Sequence, residues 1–478
     1  MGNSPHSASI DILDDNSLLN IFYVYRQAIV VEDENVDLRP IGGNRWTSER
    51  WWYTLAQVCQ RWRILILGSP SHLALCLLCT YGTPVADMLT HSPPLPLVID
   101  YAMKDWDITA EDEEGIILAL VQRDRIRRIR FRISIWKLWK LIVAIDEEYP
   151  VLEYLIMIPS NEHKSVALIL PETFQAPQLR HLLLMSFVHP IGSRLLTTAV
   201  GLVFLSLISG HPSTYFQPNI LLRWLSFMPH LETLLIGLYS SPVSNRDVER
   251  HLMHTPMTTH VTLPNLRWFQ FQGVSAYIEA VVRRITTPRL ERLDVLFFNQ
   301  LTFSVPRLSQ FINTSENLRF GSAKFRFLIE KVHVELYPRE EAKMYALSMK
   351  VRCWHLDWQV SSVAQIFNLL SQIFSTVEGL TLEHKVHSRS SEEHNEVDRT
   401  EWRKLLRSFN NVKTLRFDTG LVKELSRCLQ LDDGEHPLEL LPELQELRCS
   451  GKGHTGDAFN SFIDARQSAG RAVTLVRS

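Results

Sequence analysis

The sequence has no long hydrophobic run. Its richest apolar stretch, Leu195 to Ile208, is broken by Gly201 and closed by Gly210. That is well short of the roughly 20 residues a helix needs to cross a bilayer. The first fifteen residues are polar and acidic, with no apolar secretory core. The expectation is an intracellular protein, cytoplasmic and/or nuclear, that does not enter a membrane. Charge of one sign is also lacking: 50 Lys and Arg stand against 52 Asp and Glu, for a net of -2. A general polyanion binder needs a basic excess, so nucleic acid is not an expected partner. Only six cysteines occur, Cys59, Cys76, Cys79, Cys353, Cys428 and Cys449. Their scatter is not a disulfide framework, and reduced thiols are expected.

Catalytic signatures are missing too. There is no GxSxG, no HExxH and no phosphate-binding P-loop, and the 18 histidines are dispersed. The chain is therefore read as non-enzymatic and without a cofactor. Three weaker motifs need weighing. Cys76 and Cys79 form one CxxC inside an apolar run, with no second pair at zinc-finger spacing, so buried thiols are expected rather than a metal. Gly451, Gly453 and Gly456 form a GxGxxG between a strand candidate, Leu447 to Ser450, and a helix candidate, Asp457 to Gln467. A dinucleotide site needs a following acid about 20 residues on, and none comes after Asp464, so this is read as a glycine-rich turn. Arg123, Arg125, Arg127, Arg128, Arg130 and Arg132 alternate with Ile126, Ile129, Phe131 and Ile133, the pattern of a half-buried strand, with Glu111 to Glu114 nearby in sequence as acids that could neutralise it.

What is present is a large apolar reserve, 45% of 478 residues, enough for more than one domain. Residues 1–9 read as a disordered tail. From Ile10 to Ala28, the residues Ile12, Leu13, Leu18, Leu19, Ile21, Phe22 and Tyr25 follow helical spacing, with Asp14, Asp15, Asn16 and Ser17 as start signals. Residues 31–49 carry acids, Pro40 and a Gly42-Gly43 pair and read as a loop. Helical stretches follow at Glu49 to Gln60 and Trp62 to Leu67, stopped by Gly68-Ser69-Pro70.

After about residue 90 one six-residue pattern recurs: apolar, two variable, apolar, one variable, apolar. It stands at Ile126/Ile129/Phe131, Leu152/Leu155/Met157, Leu179/Leu182/Leu184, Leu202/Leu205/Leu207, Leu231/Leu234/Ile236 and Leu266/Phe269/Phe271. It continues at Leu290/Leu293/Val295, Ile329/Val332/Val334, Val351/Trp354/Leu356, Val377/Leu380/Leu382, Val412/Leu415/Phe417 and Leu444/Leu447/Cys449. Starts lie between 22 residues apart (Ile329 to Val351) and 39 apart (Leu290 to Ile329). Pro150, Pro177, Pro229, Pro264, Pro288 and Pro442 each stand two residues before a start, and the segments between copies carry helical patterns. One strand and one helix every ~20–29 residues is the unit of a leucine-rich repeat, and such units bury their faces only by stacking. The predicted fold is α/β: an irregular leucine-rich-repeat-like solenoid of alternating strands and helices over 90–478, with a mobile polar loop at about 384–401 and an acidic loop over Asp105 to Glu114.

Two blocks near the N-terminus resemble an F-box. Leu13-Asp14-Asp15-Asn16-Ser17-Leu18-Leu19-Asn20-Ile21-Phe22 is similar to the family's Leu-Pro-Asp-Glu-Leu-Leu-Leu-x-Ile-Phe, and Val58-Cys59-Gln60-Arg61-Trp62-Arg63 to its Val-Cys-x-x-Trp-Arg. Asp14 replaces the usual proline and Ser17 the usual leucine. The resemblance covers 10–70 with an insertion at about 30–50, and the repeats behind it are similar to the divergent F-box proteins of mushroom-forming fungi. It implies a three-helix F-box that binds a Skp-type adaptor, and through it a cullin ubiquitin ligase, while the solenoid holds a protein substrate. It places adaptor contacts on Ile12, Leu13, Leu18, Leu19, Ile21, Phe22, Val58, Cys59 and Trp62. The other reading is a ligase-independent leucine-rich-repeat scaffold for protein–protein interaction, with the first 70 residues as an end cap.

Overall fold

Each of the six prolines that precede a repeat stands second in a tight turn. The backbone N–H of the first apolar residue closes it onto the carbonyl three residues earlier: Leu152 to Tyr149, Leu179 to Ala176, Leu231 to Met228, Leu266 to Leu263, Leu290 to Thr287 and Leu444 to Leu441, at 3.0–3.3 Å. Proline pre-sets the backbone angle that this position requires. The turn aims the next residues into a strand, and the second and third apolar residues of the pattern face the core, as Leu155 and Met157 do.

The computed structural model describes residues 13–34, 50–102, 107–160, 167–190, 192–209, 211–239, 244–254, 258–298, 300, 302–339, 342–371, 373–385, 399–431, 436, 438–451 and 458–477. The chain forms two units, Met1–Val200 and Gly201–Ser478.

In the first unit, helices α1 (Asp15–Glu34), α2 (Trp51–Ala56) and α3 (Gln60–Gly68) precede the strands. There follow β1 (Leu77–Cys79), α4 (Val85–His91), β2 (Leu97–Tyr101), α5 (Ala110–Leu120), β3 (Ile126–Ile133), α6 (Ile135–Val143), β4 (Tyr154–Pro159), β5 (Leu168–Ile169), β6 (His181–Met185), β7 (Phe187–Val188) and α7 (Arg194–Thr198). Strands β1, β2, β3, β4 and β6 are neighbours in that order and parallel. The register stacks Ile129, Leu155 and Leu182 in one row and Phe131, Met157 and Leu184 in the next, all buried.

The second unit runs β8 (Phe204–Ile208), α8 (Pro218–Leu225), β9 (Thr233–Gly237), α9 (Asn245–His254), β10 (Val261–Thr262), β11 (Trp268–Gly273), α10 (Ser275–Val282), β12 (Ile285–Thr286), β13 (Arg292–Phe297) and α11 (Pro306–Thr314). It continues with β14 (Ser322–Leu328), β15 (Lys331–Tyr337), β16 (Leu347–Arg352), α12 (Leu356–Leu369), β17 (Gly379–Lys385), α13 (Arg399–Leu406), β18 (Thr414–Asp418), α14 (Val422–Leu429), β19 (Glu446–Ser450), α15 (Asn460–Ser468) and β20 (Thr474–Arg477). Its sheet has the order β8-β9-β11-β13-β16-β15-β14-β17-β18-β19-β20. All pairs are parallel except the two that β15 makes. Asparagines near the strand-leading turns tie successive turns together: Asn265 Nδ2 donates to the Pro229 carbonyl and Asn317 Nδ2 to the Pro288 carbonyl, both at 3.3 Å.

Several expectations are corrected. The Ile329/Val332/Val334 copy is the return strand of a hairpin, antiparallel to both neighbours, and not a repeat. In the Val351/Trp354/Leu356 copy the strand ends at Arg352, Trp354 is exposed, and Leu356 opens α12. Conversely, Phe320, Ala323 and Phe325 obey the six-residue spacing and lead into β14, a strand the sequence reading passes over. The loop proposed over residues 31–49 is corrected at its start, because α1 runs to Glu34; 35–49 lie outside the described residues. The acidic stretch up to Glu114 is largely a helix start. Thr109 and Asp112 form a reciprocal cap on α5, and acids in the first turn suit the positive end of a helix. The polar loop placed at 384–401 is corrected at both ends, since His384 and Lys385 belong to β17 and α13 starts at Arg399; 386–398 lie outside the described residues.

Candidate functional site

The N-terminal helices are built around a small aromatic core. The Asp14 carboxylate accepts the Ser17 N–H at 2.8 Å and the Ser17 hydroxyl at 2.9 Å, capping α1. These bonds, the backbone one first, hold Asp14 below the usual carboxylate range. The two departures from the F-box pattern, Asp14 and Ser17, are thus one capping device. Arg61 on α3 pairs with Asp15 at 2.7 Å and donates to the Leu13 carbonyl at 2.5 Å, binding α1 to α3. Phe22 meets Trp62 edge-on, with ring centroids 4.9 Å apart. The indole of Trp52 on α2 donates to the Cys76 carbonyl at 3.1 Å, just before β1.

This packing divides the nine residues proposed as adaptor contacts. Leu18 and Phe22 are buried and belong to the internal core, so as direct contacts both are corrected. Leu13, Leu19 and Trp62 are half-buried. Ile21 is 47% exposed and Val58 58%. Cys59 is exposed and caps α3, its Sγ accepting the Trp62 N–H at 3.5 Å. Ile12 lies outside the described residues. Residues the proposed contact set omits fill the outward side: Val24 is 65% exposed and Ile64 63%, and Tyr25 is exposed as well. Val24 and Tyr25 stand three and four residues after Ile21, the spacing that puts side chains on one helix face, and that signal could have found them.

The weaker motifs resolve structurally. Cys76 and Cys79 are buried at β1, and burial pushes the Cys79 thiol up to about 12. Among the described residues, no three His, Cys, Asp or Glu side chains gather as metal ligands, and no helix is long and apolar enough to cross a membrane. Of the glycine motif, Gly451 adopts φ +122° and 452–457 lie outside the described residues; β20 follows. The arginine run is the half-buried strand β3, but its acids are not Glu111 to Glu114. Arg130 pairs with Asp100 at 2.6 Å, Arg127 with Glu153 at 2.8 Å and Arg123 with Asp146 at 3.0 Å.

In the second unit, the sheet face opposite the pattern's apolar residues carries polar and aromatic side chains. On β11 and β13 the Arg292 guanidinium lies between two rings, 4.5 Å from the Trp268 centroid and 4.3 Å from that of Tyr345. Asp294 accepts from Arg292 Nε at 2.8 Å and from the Trp268 indole at 2.6 Å. Glu335 on β15 holds Arg326 and accepts the Tyr337 hydroxyl at 2.8 Å. Burial, reinforced by Lys350, Arg326 and Lys331, pushes His333 down to about 3, and its Nε2 lies 2.9 Å from Ser348 Oγ. Beside this network is a hollow of about 500 Å³, with Ser322, Lys324, Tyr337, Gly379, Thr381 and Arg416 in its lining. Such a face, with fixed polar groups beside a recess, can grip an extended segment or a protruding side chain.

No protein-family model matches the chain, and no curated protein matches it. Among solved structures, the leucine-rich repeat-containing protein LegL7 from Legionella pneumophila is similar at 14% identity and a TM-score of 0.25, over 63% of this chain and 84% of that one. A likeness of that size carries no argument, and the fold rests on the strand order and register above.

Proposed function

We propose that the chain is a non-catalytic substrate receptor. Its N-terminal helices act as an F-box that docks a Skp-type adaptor of a cullin ubiquitin ligase, and the polar face of the second unit holds a protein target. The observation that carries this is the outward apolar set Ile21, Val24, Tyr25, Val58 and Ile64, standing on the Leu18, Phe22 and Trp62 packing. Exposed large apolar side chains on a small helical module suit a protein partner. The contribution would be to hold a target near a ligase, which raises local concentration and needs no reactive group, cofactor or metal. Action in the cytoplasm or nucleus follows from that role. The test is capture of a purified Skp-type adaptor by the full chain. An Ile21→Glu/Val24→Glu double variant should fold with an unchanged melting temperature and lose the adaptor. If the intact chain fails to bind the adaptor, this reading is lost.

One observation favours a second reading, a ligase-independent scaffold. Trp51 and Trp52 are buried and the Trp52 indole is bonded to the backbone beside β1, as in an end cap. Deleting residues 1–70 separates the two. A cap's removal lowers the melting temperature of the remainder, whereas loss of a docking module leaves it almost unchanged.

A further inference from the structure

The antiparallel strand β15 creates a pair of like charge that a sheet ordinarily avoids: Lys331 on β15 stands directly opposite Arg352 on β16. On the next rung Lys350 stands opposite His333, which burial keeps neutral. Like charges across a rung are destabilising, so this arrangement is retained against the stability of the sheet. Charges on this face of β13 to β17 can be matched one by one. Asp294 takes Arg292 at 2.8 Å, Glu383 takes Lys324 at 2.6 Å, and Glu335 takes Arg326. Lys331, Lys350, Arg352 and Lys385 remain, and among the described residues no carboxylate lies within ion-pair reach of any of them. Four cations outside any ion pair among the described residues thus share one end of one sheet face, Lys350 alone lying within the field of Asp294 and Glu335, in a chain whose net charge is -2.

We propose that this cationic corner is the docking site for an acidic segment of the protein target, one in which carboxylates alternate with apolar side chains. This rests on the reading that the second unit holds a target. The neighbours select that chemistry. Leu328 stands opposite Lys331, and Leu296 is aligned with Lys350, so apolar and cationic positions are interleaved. A peptide with period-two alternation matches both kinds of position when it lies extended over the strands. A nucleic-acid backbone matches poorly, because its phosphates would run beside Glu335, Glu383 and Asp294 as well. Lys350 is half-buried, and burial holds its ammonium below the usual range, so an arriving carboxylate finds a poorly solvated cation.

The test uses the full chain with a fluorescent twelve-residue peptide of alternating Glu and Leu. Its Gln-for-Glu counterpart and a single-stranded oligonucleotide serve as comparisons. The Glu peptide should bind, weaken as salt is raised, and lose about tenfold or more in affinity in a Lys331→Gln/Arg352→Gln double variant. That variant removes a like-charge rung, so its melting temperature should be equal or higher, which separates lost binding from lost folding. The Gln peptide should not bind. Equal binding by the variant and the wild type, no binding of the Glu peptide, or preference for the oligonucleotide each overturns the proposal. None of these outcomes touches adaptor capture, which is read on α1 to α3.

Discussion

The rings of Phe22 and Trp62 meet with centroids 4.9 Å apart and planes inclined at 66°, so the first and third helices share one aromatic joint. Edge-to-face pairs of this kind add about 1 kcal/mol beyond the area they bury. Phe22→Ala should cost about 3–4 kcal/mol in the stability of the N-terminal helices, chiefly as a cavity. Chemical denaturation followed by Trp fluorescence reads the loss. Adaptor capture should fail with it, whereas Ile21→Glu should abolish capture without changing the denaturation midpoint.

Trp52→Phe removes the indole donor and leaves the Cys76 carbonyl without it. The loss should be about 1–2 kcal/mol. Amide hydrogen exchange in α2 and β1 should accelerate together, because the bond joins them. An unchanged exchange rate in β1 would show that the indole does not anchor the helices to that strand.

His333 supplies a pH dependence whose direction can be worked out. Its folded value is depressed to about 3 from 6.5, so between those values the unfolded chain binds the proton and the folded chain does not. Stability from this group is complete above pH 6.5 and is lost as pH falls, by about 1 kcal/mol per unit. Melting temperatures at pH 7 and pH 5 should therefore differ by less in His333→Gln than in the wild type. Equal differences would mean that the imidazole accepts a proton while the sheet is intact.

Arg466 is wholly buried, and its Nη2 donates to the carbonyls of Pro442 at 2.9 Å and Leu444 at 3.0 Å. These carbonyls flank the turn that starts β19. Arg466→Ala should leave them without that donor and cost about 3 kcal/mol. Limited proteolysis should then cut first near residues 440–477, with the rest of the second unit still protected.

The strand positions were legible because one signal was redundant. Proline-led turns and the six-residue pattern coincide at Leu152, Leu179, Leu231, Leu266, Leu290 and Leu444, and a strand follows each one. Val332 and Val334 satisfied the same spacing while running the other way, because side-chain period carries no information about strand direction. Trp354 satisfied it from the surface, since a lone exposed aromatic looks like a core residue in one dimension. The same blindness divides the proposed contacts. Leu18 and Ile21 belong to one amphipathic stripe, and the folded packing buries the first while leaving the second half open, a division that spacing alone does not show. The network around Arg292, Glu335 and His333 was not legible at all, because it is assembled from β11, β13, β15 and the residues beside them, and the block β14 to β16 enters the sheet in reverse of its chain order.

That reordering has a kinetic consequence. Most strands of the second unit pair with the next full strand to emerge, so the sheet could grow by successive addition, as in one-dimensional repeat arrays. Strand β13 cannot: its far edge is completed by β16, with Leu293 aligned to Leu347. Until that partner is synthesised, the Leu293–Phe297 edge stays bare, while β14, β15 and β16 must first fold back on themselves as a meander. Assembly of this unit should therefore pause at β13 and resume only when three strands arrive together, and that interval is when a nascent chain is most exposed to mispairing.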